Sequence, residues 1–277
     1  MKKLLLPLLS ILLFTACQKE VTTTKAQDEI AGATANKQTK FFVCHYDAIT
    51  ATWKTIQVDQ SALAGHLAHG DVQGECSAVQ TVTICDQVWM VKNLDVDTYR
   101  DGTTIPQAAT EAEWIAAGTA GTGAWCYYEN STANGTVYGK LYNCYAVNDP
   151  RGLAPTGWHI PTTLEWVTLA DCLGGDIFGN DVAGGKLKSV GTIEAATGLW
   201  YAPNTDATNS SGFTGFPGGL RIASGTFYSI GQVGLWWGSD LQSTSLGFLF
   251  GLSSYHADIF HISDSKQLGT SVRCLRD

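Results

Sequence analysis

Residues 158–166 read Trp158-His159-Ile160-Pro161-Thr162-Thr163-Leu164-Glu165-Trp166. Thr162 followed three residues later by Glu165 is a capping box, in which the hydroxyl accepts from one orphan amide while the carboxylate reaches back to another. It predicts a helix opening there and running to Leu173, with Leu164, Val167, Ala170 and Leu173 on one stripe and Gly174-Gly175 as the stop. Upstream, Thr110-Glu111-Ala112-Glu113 is a second box, opening a short helix that carries Trp114 and Ile115. The rest reads as strands. Residues 79–84 alternate, 88–91 form a second strand, and Gly-punctuated strand-sized pieces follow at 213–216, 219–222, 227–230, 235–237, 246–249 and 271–275. No long helix is expected after about residue 190. Few helices beside many short strands means an α+β fold.

The 277 residues are 44% hydrophobic and 15% charged, with 30 Gly and 9 Trp. A charged fraction well under the roughly 25% of an average soluble protein argues against disorder over most of the length. The formal net charge is -8, and Lys2 and Lys3 are the only basic residues among the first sixteen. Without those two, 15 basic residues face 25 acidic ones. There is no basic stripe, so nucleic acid is not an expected partner.

Residues 1–16 read as a secretory signal peptide: two lysines, an apolar run from Leu4 to Phe14, then small residues. The run is too short to span a bilayer of about 30 Å. Phe14-Thr15-Ala16-Cys17 resembles the bacterial lipobox, whose cysteine is lipidated and becomes the first residue of the mature protein. Acyl chains on Cys17 would anchor the protein to a membrane, most simply the outer membrane, without spanning it. Gln18-Lys19-Glu20 has the charged character of surface-export signals in some Bacteroidetes lipoproteins. Residues 17–40 hold no aromatic residue and read as a tether of roughly 25–30 Å mean span.

Residues 41–78 form a small Cys/His module. Two strands, 41–46 and 53–58, precede a helix from Ala62 to His69 with Ser61 as N-cap and Gly70 as its terminator. Cys44, His45, His66, His69 and Cys76 could assemble a zinc site, His66 and His69 projecting from one helix face. The alternative is a Cys44–Cys76 disulfide, worth roughly 3–4 kcal/mol for a loop of about 30 residues. The two readings exclude each other for the cysteines, although the histidines could bind metal beside a disulfide. The module is similar to one found in secreted proteins of Bacteroidetes-type bacteria, which carries no assigned activity.

In residues 79–277, several stretches together carry a resemblance. They are residues 87–94 around Trp89 and Asn93, 138–143, 148–162 from Asn148 to Thr162, 183–188, 217–221, 235–239 and 271–277. In this order they resemble the Fibrobacter succinogenes major paralogous domain. That family is similar in pattern to the C-type-lectin-like and formylglycine-generating superfamily, which implies a loop-rich α+β fold. The chain departs from the family pattern at Cys85, where Gly is usual, and at Cys144 and Cys172, where aromatics are usual.

No catalytic motif stands out. The formylglycine-generating enzymes bind copper through paired cysteines, but only Cys274 sits in the closing strand here, and no partner follows from the motif. Pairing among Cys85, Cys126, Cys144, Cys172 and Cys274 stays open. The aromatics Trp125, Tyr127, Tyr128, Trp236, Trp237 and Tyr255 could stack on sugar rings, with at most one of Trp236 and Trp237 facing outward. The alternative is that they are core. Asp258, Asp264 and Asn209 are further candidates, for calcium. The expectation is a lipid-anchored envelope protein displaying a non-catalytic domain that binds a polysaccharide or a surface protein. The alternatives are a metal-dependent or thiol redox enzyme of the formylglycine-generating type and a purely structural envelope component.

Overall fold

The structure, a computed structural model, describes residues 40–47, 52–68, 72–73, 79–178 and 182–277. Cys17 with its signal and tether, His69, Gly70 and Cys76 lie outside the described residues, as does the side chain of Cys44. The chain divides between Cys76 and Ser77 into two compact units.

In the first unit, β1 (Lys40–Asp47) and β2 (Thr52–Asp59) form an antiparallel hairpin in which Val43 faces Ile56 and His45 faces Lys54. α1 (Gln60–Ala68) follows, and β3 (Val72–Gln73) pairs with the other edge of β1. Val43, Val58 and Leu63 are its buried apolar centre, with Phe41 and Ile56 packed against them. Among the described residues these three buried side chains make a small core.

The second unit begins with the expected hairpin, β4 (Thr81–Ile84) and β5 (Gln87–Met90). Next comes α2 (Glu111–Ala120), whose capping box is formed on both sides by Thr110 and Glu113 and whose chain leaves through left-handed Gly121. β6 (Trp125–Cys126), α3 (Thr132–Tyr138), β7 (Leu141–Asn143), α4 (Cys144–Val147) and β8 (Trp158–His159) are short. α5 (Thr163–Cys172) opens on the second box as read from the sequence, Thr162 and Glu165 reciprocating. Its buried face, however, is Trp166, Leu169 and Ala170, while Leu164 is 72% exposed. The expected stripe was displaced because burying the Trp166 ring removes more apolar area from water than burying Leu164.

α6 (Ala183–Leu187) is followed by β9 (Gly218–Arg221), β10 (Phe227–Ile230), β11 (Val233–Leu241), β12 (Leu246–Ser253), β13 (Phe260–Ser265), β14 (Gly269–Thr270) and β15 (Leu275–Arg276). They build three antiparallel sheets ordered β10-β9-β14-β7-β6, β11-β12-β13 and β4-β5-β15-β8. The last strand therefore sits between β5 and β8, Leu275 facing both Trp89 and His159. Residues 213–216 make only an isolated bridge, Gly215 to Lys188. The architecture is α+β, loop-rich, with few helices.

Cys85, in the turn between β4 and β5, is bonded to Cys172 at the end of α5, with their Cα atoms 6.5 Å apart. Closing a loop across 87 residues is worth about 4–5 kcal/mol in the chain-entropy model. Cys126, Cys144 and Cys274 are free and buried.

Candidate functional site

The two neighbouring tryptophans of β11 point to opposite faces of the strand, and both faces are core. Trp237, 0% exposed, packs with Tyr142, Leu235 and Leu249; Trp236, 1% exposed, packs with Trp166, Phe213 and Phe250. Their indole N–H groups donate to Tyr142 O and to Asn93 Oδ1, both at 2.8 Å. Neither ring can receive a sugar: of the two readings open from the sequence, the core one holds and the outward platform does not. Trp125 is also buried, its N–H held by Ile105 O at 2.9 Å and its face covered by the Lys140 ammonium at 4.4 Å. Tyr128 is buried as well, whereas Tyr255 remains 56% exposed. In a strand with both faces covered, by Tyr142 on one side and by Trp166 and Phe213 on the other, alternation gives no outward face, and that is what sequence alone could not supply.

The residues of the resemblance converge inside. Asn93 Oδ1 accepts from Trp236 and also from Arg273, at 2.7 Å from Nη2 and 3.2 Å from Nε, while Asn93 Nδ2 donates to Tyr138 O and Ser271 Oγ. Arg273 is fully buried, its Nη1 donates to Phe213 O, and its guanidinium lies over the Phe213 ring at 4.4 Å. Burial pulls its pKa down to about 9.

Other cations do the same work. Lys188, buried and with its pKa pulled down to about 8 by burial, donates to three carbonyls, those of Thr205, Ser253 and His256, at 2.7–2.9 Å. Lys186 holds the Leu173 carbonyl at the end of α5, Arg100 the carbonyls of Ala154 and Trp158, and Arg221 those of Ala108 and Gly225. A fold with much irregular backbone has carbonyls that no ladder satisfies, and leaving each one buried and unpaired would cost about 1–3 kcal/mol. Here lysines and arginines, Lys188, Arg221 and Arg273 from within the core, supply the missing donors.

His159 completes this picture at the surface. Its Nδ1 lies 2.8 Å from Asp277 Oδ1 and its Nε2 2.9 Å from Glu165 Oε1, tying the closing strand to the start of α5. Burial disfavours the charged ring, but the hydrogen bonds to both carboxylates outweigh it and the imidazole pKa is raised. The three free thiols are pushed up by burial, Cys126 and Cys144 to about 11 and Cys274 to about 12.

The calcium candidates are not brought together. Asn209 is occupied with Thr214, donating to its hydroxyl and accepting from its amide, and Asp264 Oδ1 accepts from the next amide on β13. Among the described residues no three His, Cys, Asp or Glu side chains converge as metal ligands. In the first unit, His45 and His66 do meet, with ring centroids 5.4 Å apart.

The second unit offers to solvent a cleft of about 420 Å³ between the start of α2, the turn after β6 and the β9–β10 hairpin, and a more apolar one of about 450 Å³ on the other side of α2, lined by Pro106, Ala116 and Ala120. Glu111, Glu129, Asn130, Arg221 and Phe227 line the first. Glu129 and Asn130 are both left-handed, with φ 53° each. Two successive non-glycine residues in that region cost of order 1–3 kcal/mol apiece, strain that the surrounding structure must hold. Gly225 at φ 94° turns the hairpin against α2, where a Cβ would stand 2.9 Å from Glu111 Cα. Arg221 lies beneath, its guanidinium 4.9 Å from the Trp114 ring and 4.7 Å from that of Phe227. Only the turn chemistry hinted at this cleft in the sequence.

A family model described as the Fibrobacter succinogenes major domain matches residues 82–276. The chain belongs to that family. The buried network is therefore the family's domain seen from inside, since Asn93, Trp236, Ser271 and Arg273 come from three separated stretches of it. Cys85 and Cys172, two of the three positions read above as departures from the resemblance, are bonded to each other. No curated protein and no solved structure matches the chain.

Proposed function

We propose that the chain is a lipid-anchored protein of the bacterial cell envelope that displays its Fibrobacter succinogenes major domain as a non-catalytic binding module, for a polysaccharide or a protein partner at the surface. The observation that carries this reading is the contrast between interior and cleft. The family's polar residues are engaged inside, whereas Glu111 and Glu129 present carboxylates around a concave surface beside the Phe227 ring. Carboxylate oxygens accept from sugar hydroxyls, and an aromatic face packs on apolar C–H surfaces. A lectin-like fold and an outer-membrane address, read from the sequence, belong to the same proposal. A thiol-based activity of the formylglycine-generating type draws no support from Cys274, which is 0% exposed and holds its proton to about pH 12.

Retention on a panel of soluble and insoluble polysaccharides, followed with tryptophan fluorescence, tests the reading. Selective retention is expected, and it is expected to disappear in Glu111→Gln/Glu129→Gln, whose carboxylates contribute nothing to the buried network. Retention that survives this double change would move the ligand off the cleft. No retention on any glycan would remove the polysaccharide from the proposal.

A further inference from the structure

We propose that His45 and His66 form a transition-metal site in the first unit, taking Zn²⁺ or Cu²⁺, independent of the binding role of the second unit. His45 stands two residues after Val43 on β1, so both side chains share the face that looks toward α1. On α1, His66 stands three residues after buried Leu63, on the face that looks back. The two rings thus meet at the margin of the small core. Each remains partly open to solvent.

The separation fits a shared ion. Two imidazoles bound to one zinc through nitrogens at about 2.0–2.1 Å and a tetrahedral angle hold their ring centres about 5 Å apart. The observed centroid distance is 5.4 Å. His66 also lies in the last turn of α1, where the negative end of the helix dipole favours added positive charge. Imidazole nitrogen suits zinc and copper, and water can occupy the remaining positions on a half-exposed site.

The test uses the untagged full chain. Zn²⁺ titrated calorimetrically is expected to bind at a single equivalent, and the Cu²⁺-loaded protein to show coupling to two imidazole nitrogens by electron paramagnetic resonance. Both signals are expected to be lost in His45→Phe and in His66→Phe, which keep an aromatic ring for packing but supply no ligand. A wild-type chain that takes up no Zn²⁺ overturns the site. So do Phe variants that bind as the wild type does, since the ligands would then lie elsewhere. If a Phe variant fails to fold, the wild-type copper spectrum decides alone: absence of paired nitrogen coupling overturns the proposal.

Discussion

The two units solve the same problem in opposite ways. The first is a regular hairpin with one helix, nearly all its described backbone in β1, β2 and α1, and among its described residues Val43, Val58 and Leu63 are the buried apolar side chains. The second has far more apolar mass, with six tryptophans among its largest fully buried side chains, but much of its backbone is irregular. Regular structure satisfies its own amides and carbonyls and leaves stability to the core. Irregular structure has core to spare and must import donors, which the buried Arg273, Lys188 and Arg221 provide. The difference teaches that buried charge in this protein is a substitute for secondary structure.

That contrast can be broken hardest at Arg273. Arg273→Met is expected to orphan the Phe213 carbonyl, at roughly 1–3 kcal/mol, and to cost more by leaving Asn93 Oδ1 with Trp236 Nε1 as its remaining donor and the Phe213 ring without its cation. Urea unfolding followed by tryptophan fluorescence would report it, and an unchanged midpoint would contradict the structural role of the buried guanidinium. Next in size is the disulfide. Cys85→Ser/Cys172→Ser, or reduction of the wild type, is expected to cost about 2–5 kcal/mol, seen as a fall in the melting temperature of the second unit. Reductant without effect on melting would place no stabilisation in that bond.

In the first unit the equivalent blow is to apolar contact. Leu63→Ala is expected to cost about 2–5 kcal/mol, enough to unfold so small a core. Hydrogen exchange should show lost protection in residues 40–68 alone. Loss of protection spreading into the second unit would contradict their separation.

The smallest expected effect is electrostatic. His159 has its pKa raised by Asp277 and Glu165, so its contribution is present below the ordinary imidazole range and fades as pH rises through the raised value. Burial opposes ionisation of Glu165, but the Thr162 and His159 hydrogen bonds lower its pKa, so its share fades as pH falls through the lowered value. Because all three groups are partly exposed, solvent screens the pair and the effect is small. His159→Gln is expected to flatten the pH dependence of the urea midpoint on the alkaline side; an identical profile would remove the clamp from the account.

Local chemistry was legible. Both capping boxes form as written, the opening hairpins of each unit lie where alternation put them, and the family follows from its motifs. The errors were errors of facing. Periodicity puts Leu164 on the buried stripe, and it is exposed; alternation leaves Trp236 and Trp237 open between core and surface, and both are core. Periodicity states which residues share a side, but only the neighbouring sheet decides whether that side meets water. The cleft escaped for a related reason, since Glu111, Glu129 and Phe227 come from three distant segments without a common motif.

By itself, then, the sequence determined what depends on near neighbours along the chain: caps, strands, turns, the α+β class and the membership of residues 82–276 in their family. Only the tertiary structure decided which cysteine meets which across 87 residues, which tryptophans are core, and that Asn93, Trp236 and Arg273 share one oxygen atom. Those are outcomes of packing, where free energy is set by contacts between segments whose separation in sequence carries no information about their separation in space.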